Sequence, residues 1–180
     1  MKNIFKFIFS VLVCELAGAV GSFYTISSIP TWYASLEKPF FNPPNWIFAP
    51  VWIVLYFLMG IALYLAWKNN FSPKTFSSES EKKTWNPLST KLWLGSWKEE
   101  NAVSIFTLQL ILNIIWTVIF FGLKSPGLAF FIILMLWFAI LYTIVNFYRI
   151  SRSAAILFLP YLLWVTFASI LNLAIWQLNM

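Results

Sequence analysis

Histidine and aspartate are absent from this 180-residue chain, cysteine occurs once, at Cys14, and charged residues make up only 10%. Without histidine or a second thiol, zinc sites of the Cys/His type, haem on an axial histidine, disulfide scaffolds and Ser/His or Cys/His catalysis are excluded. So little charge beside 61% hydrophobic and 21% aromatic residues is more apolar surface than a soluble core of this size needs, which makes the class integral membrane protein. Any chemistry must then come from aromatic rings, amides, hydroxyls, glutamate or a bound group. No metal ligand set is present, and no obligatory cofactor is expected. The net charge of +6 does not call for nucleic acid, because the basic residues fall in connections between apolar runs.

Five such runs, at about 7–27, 46–67, 102–123, 128–148 and 154–177, are each long enough to cross a bilayer as a helix. They are about twice the length of a barrel strand and do not alternate, so the expected fold is all-α, a bundle of five transmembrane helices within one membrane domain, 1–180. The basic start and first run resemble a secretory leader, and 11–14 resembles a lipobox. Val13 stands where a small residue is required, however, and the run passes Cys14 without an A-x-A site, so the run is read as a span. Between the second and third runs, 68–100 is polar, yet Trp85, Leu88, Leu92, Trp93 and Trp97 recur at three- and four-residue steps. A helix at 85–97 lying on the membrane surface fits that spacing; a disordered loop touching headgroups is the competing reading. Lys124-Ser125-Pro126-Gly127 is a turn signal, and Pro160 kinks the last span or breaks its first turn. With five spans, Lys2, Lys6, Lys68, Lys74, Lys82, Lys83, Lys91, Lys98, Arg149 and Arg152 lie on one side and only Lys38 and Lys124 on the other. That asymmetry places the amino terminus in the cytoplasm of a bacterial plasma membrane.

The chain is organised around 32–67. Four prolines, Pro39, Pro43, Pro44 and Pro50, stiffen the approach to the second span, and Trp32, Tyr33, Phe40, Phe41 and Trp46 crowd a loop just outside it. That loop is an interfacial anchor or the lid of a cavity for a flat apolar ligand; composition favours the anchor. Within the spans, Phe48, Trp52 and Tyr56 follow one another at four-residue steps. Gln109, Asn113 and Trp116 share a face of the third span, and Trp164, Ala168 and Leu171 form a stripe on the fifth with Asn172 beside it. Such stripes either converge on a pocket of rings and amides or are ordinary interhelical contacts, the reading that periodicity favours. Ala17, Gly18, Gly21 and Ser22 suit close packing of the first span. Glu15 edges a ligand cavity or, as favoured here, partners a hydroxyl or amide of a neighbouring helix. No proton relay, selectivity filter or arginine ladder appears.

Trp32-Tyr33, Leu36, Lys38-Pro39, Asn42-Pro43-Pro44, Trp46, Pro50-Val51-Trp52, Leu55-Tyr56 and Met59-Gly60 resemble the signature of the TspO/MBR family of tryptophan-rich sensory and translocator proteins. So do Gln109, Leu112-Asn113, Trp116, Phe120-Phe121-Gly122, Pro160-Tyr161-Leu162, Trp164, Phe167-Ala168 and Leu171-Asn172. The resemblance implies a five-helix bundle, usually a homodimer, whose cavity binds porphyrins such as protoporphyrin IX and other planar apolar ligands, with a sensory or tetrapyrrole-regulating role. The family's pocket falls on Tyr33, Phe48, Ala49, Trp52, Asn113, Trp116, Trp164, Ala168 and Leu171. Trp52 and Trp164 match tryptophans implicated in light- and oxygen-dependent porphyrin breakdown, so a porphyrin-degrading enzyme is one alternative and a carrier of another lipid-like molecule a second. Leu173 and Gln177 stand where the family's cholesterol motif has Tyr and Arg, so no strong cholesterol site is expected. The 68–100 loop is longer than the family's usual one.

Overall fold

Five apolar helical spans, Asn3–Tyr33, Asn45–Lys68, Ala102–Gly122, Pro126–Ile150 and Arg152–Leu178, build the computed structural model, which describes residues 2–70 and 100–180. The protein is an all-α integral membrane bundle. The first span is α1 (Lys2–Ser28) continued by a wide π-type turn, Ile29–Tyr33; the second is a 3₁₀ turn, Asn45–Ile47, leading into α2 (Phe48–Asn70). The third is α3 (Glu100–Thr117) with a second π-type turn, Val118–Gly122, and the fourth is α4 (Pro126–Ile150). The fifth comes in two pieces, α5 (Arg152–Leu157) and α6 (Leu159–Leu178). The surface helix expected at 85–97 lies outside the described residues.

The differences from the expected boundaries have local causes. Helical structure runs on through Ser35, so the loop expected to open at Trp32 begins only at Leu36, and Tyr33 is in a helical turn, 2% exposed, instead of in the loop. The fifth span breaks at Phe158 because Pro160 has no N–H for the carbonyl of Ile156; the chain tightens there, and the Phe158 amide donates to the Ala155 carbonyl at 3.1 Å. The turn between the third and fourth spans is made by Lys124, whose φ of 54° is left-handed, while Pro126 opens α4. Gly127 belongs to α4, where a β-carbon would meet the Trp176 indole at 2.8 Å, so this glycine serves a close approach instead of the turn.

Packing closes the spans into a ring. α1 lies against α2 and α3, α3 against α4, α4 against α5 and α6, and α5 against α2, giving the circular order first, second, fifth, fourth, third. Glycines set the tightest crossing: a β-carbon on Gly60 would lie 2.6 Å from the Val11 Cα, and one on Gly18 would lie 2.5 Å from the Tyr56 ring. Of the two pieces that the break at Phe158 separates, it is α5, not α6, that packs closely on α2. The second span is therefore held tightly in the half of the bundle that carries α5, the inner half, and stands off from its neighbours in the other, the outer half.

Candidate functional site

The spread outer half encloses a cavity of about 380 Å³ lined by the first, second, third and fifth spans. That size is within the range of small-molecule sites. From α2 the wall takes Phe48, Trp52 and Tyr56, the stripe read from four-residue spacing, together with Ala49. From α6 it takes Trp164, Ala168, Leu171 and Asn172, and from the third span Trp116. Trp52 stacks on Tyr56 at 5.6 Å between ring centroids and meets Trp116 at 6.3 Å, and Phe48 meets Trp164 edge-on at 6.3 Å. The result is a chamber of ring faces and edges, a surface matched to another flat π-system.

Asn113 does not line this chamber. Its Oδ1 accepts from the Tyr56 hydroxyl at 2.6 Å and its Nδ2 donates to the Tyr161 hydroxyl at 2.8 Å, so it ties the second, third and fifth spans together behind the wall. Gln109 is deeper still and fully buried, its Nε2 4.0 Å from the Met59 sulfur. Of Gln109, Asn113 and Trp116, Trp116 alone reaches the cavity, beside Thr117, Phe120 and Phe121 of the same span, and its indole N–H is held by the Asn172 Oδ1 at 3.1 Å. Asn172 in turn donates to the Pro126 carbonyl at 2.7 Å.

The aromatic loop residues divide too. Phe40 and Trp46 point outward, 101% and 72% exposed, as interfacial anchors would. Trp32 packs edge-on against Phe120, Phe41 against Phe167, and Tyr33 against Phe48, Phe120 and Phe121, so these rings roof the chamber. The roof is pinned: the Tyr33 hydroxyl donates to Asn42 Oδ1 at 2.6 Å, and Asn179 Oδ1 and Nδ2 bond the Glu37 amide and carbonyl at 3.0 and 2.9 Å. The two π-type turns flank it, and Ser28 donates to the Phe121 carbonyl at 2.8 Å across them.

Sequence spacing missed the contribution of the first span. Glu15, Gly18, Ser22, Thr25 and Ile29 line the cavity in one stripe, with Gly21 beside it where the first span meets Thr117, whereas Ala17 is buried away from the cavity. The signal was the same i, i+3, i+7 spacing used for the other spans, masked by small residues that read equally well as packing. Ala19, Ile26, Ala49 and Ile53 line the cavity and are also exposed, so the chamber opens sideways between the outer halves of the first two spans. The Trp164 indole N–H is buried in the wall without a partner among the described residues.

Fold and chamber together define a class, integral membrane helical bundles that hold an aromatic, roofed, ligand-sized cavity within the bilayer. The chain belongs to the TspO/MBR family, whose family model matches residues 10–177. It is 42% identical over 177 residues to the "Tryptophan-rich protein TspO" of Archaeoglobus fulgidus, covering 98% of this chain and 99% of that protein. It is 35% identical over 181 residues to the protein of the same description in Chlorobaculum tepidum, covering 99% and 98%. It is also 35% identical over 170 residues to the human "Translocator protein", covering 93% and 86%.

Proposed function

We propose that the protein is a membrane receptor or carrier for porphyrins, protoporphyrin IX or a close tetrapyrrole, held in the aromatic cavity in a sensory or tetrapyrrole-regulating role. The observation that carries this reading is the convergence of Phe48, Trp52, Trp116 and Trp164 on one roofed cavity of about 380 Å³. Tyr33, Ala49, Ala168 and Leu171 complete the contact surface, and Asn113 acts on the ligand indirectly by fixing Tyr56 against Trp52. The amino terminus is on the cytoplasmic side of a bacterial plasma membrane and the protein works as a homodimer. Titration of the purified protein with protoporphyrin IX quenches tryptophan fluorescence saturably; an unchanged affinity in a Trp52→Ala, Trp164→Ala double variant would remove this pocket from the proposal.

A second reading, photo-oxidative porphyrin breakdown, is favoured by the contact of Trp52 with Trp116, which gives a bound ring an indole relay into the bundle. Illumination in air then consumes bound porphyrin faster than porphyrin in detergent alone; equal rates would exclude it.

A further inference from the structure

Among the described residues Glu15 is the one ionisable carboxyl group on the cavity wall, and no lysine or arginine of theirs lines the cavity with it. It stands one turn, roughly 4.5 Å along the helix, from Gly18, the midpoint of the span Asn3–Tyr33, which puts it within the hydrocarbon depth of that span. A carboxyl group at that depth is costly unless something answers it, and among the described residues no hydrogen bond or ion pair does. The hydroxyls that share the wall are already committed. Ser22 donates to the Ala19 carbonyl, Thr25 to Gly21, Thr117 to Asn113, Tyr56 to Asn113 Oδ1 and Tyr33 to Asn42. The Trp164 N–H, buried in the wall and also without a partner among the described residues, is on the fifth span beside Phe48, with the two ring centroids 6.3 Å apart.

We propose that Glu15 is the specificity-determining residue of the deep end of the cavity: it accepts a hydrogen bond from an N–H or ammonium group of the ligand and excludes a carboxylate from that end. The inference rests on the reading above that the cavity takes a planar aromatic ligand, and adds its orientation. A ligand with acidic substituents enters with them directed outward, where Lys38 stands over the Tyr33 ring at 5.1 Å. Its acceptor atoms meet the Trp164 N–H, and its donor edge reaches Glu15.

The test uses the full chain in a neutral detergent and three porphyrins with the same ring whose side chains on one edge end in ammonium, neutral ester or carboxylate. Tryptophan quenching of the wild-type protein gives at least about tenfold tighter binding of the ammonium than of the carboxylate form, and Glu15→Gln brings the two within about twofold while hardly moving the ester. A ratio equal in wild type and Glu15→Gln overturns the inference and leaves the porphyrin reading standing; absence of saturable quenching by all three porphyrins overturns both. Melting of the unliganded Glu15→Gln and Glu15→Leu proteins separates recognition from structure: neither falls below wild type, because an unanswered charge has left the hydrocarbon. A fall in both makes Glu15 a structural residue and overturns the inference.

Discussion

Replacing Gly18 by alanine sets the cavity wall against the bundle's stability in a way that the structure makes quantitative. The new methyl carbon would lie 2.5 and 2.6 Å from Cε2 and Cδ2 of Tyr56. Carbon atoms settle at about 3.5–4.0 Å, so the ring must retreat by roughly 1 Å. It cannot swing away freely, because its hydroxyl is held at 2.6 Å by Asn113 and its face is stacked on Trp52. The displacement is therefore passed to Trp52, which lines the cavity. Gly60→Ala is the control: its methyl would lie 2.6 Å from the Val11 Cα, a backbone atom, and neither Gly60 nor Val11 lines the cavity. There α1 and α2 must part, an overpacking cost of about 1–3 kcal/mol that lowers the melting temperature by roughly 2–12 °C. Porphyrin titration and thermal unfolding in detergent are the paired assays. Gly18→Ala weakens binding by about tenfold or more with the smaller loss of stability, and Gly60→Ala leaves affinity within about twofold with the larger loss. Unchanged affinity in Gly18→Ala, or an equal loss in both, refutes the claim that Tyr56 transmits packing to the pocket.

Other outcomes follow from single contacts. Tyr161→Phe leaves Asn113 Nδ2 without its acceptor in a site where Asn113 is 1% exposed. Stability falls by about 1–2 kcal/mol, above the roughly 0.6 kcal/mol average for interhelical bonds in membranes, and an unchanged melting curve would contradict it. Asn179→Ala removes both hydrogen bonds to the Glu37 backbone and frees that corner of the roof, so stopped-flow quenching shows porphyrin dissociation faster by about tenfold; unaltered rates would mean that the roof does not gate release. Lys124→Gly relieves the left-handed backbone at φ 54° and raises stability by about 0.5–1 kcal/mol, read as a higher melting temperature.

The number of spans and the stripes on the second and fifth were legible because helical period and hydrocarbon length are local properties of the chain. Tyr33, Trp52, Trp116 and Trp164 do meet around one chamber, and period alone could not say whether they would, since a stripe of rings packs as readily against a neighbour as around a void. What turns stripe into cavity is nonlocal: the break at Phe158, with the α5 half held on α2, and the glycine crossings that hold the first two spans tight only below Tyr56. Asn113 shows the limit from the other side. Its position one turn before Trp116 predicts a shared face, yet the side chain is spent on two tyrosines from two other spans, and nothing in the third span announces them. Glu15 is the converse case. Its sequence neighbours favour a structural partner, but the hydroxyls that could serve are bonded to backbone carbonyls or amides, so the carboxyl group is left facing the cavity. Asn113 has found its partners inside the protein, whereas Glu15 and the Trp164 N–H line the cavity without one among the described residues. By that criterion Glu15 and Trp164, and not Asn113, are the polar groups on which the choice of ligand turns.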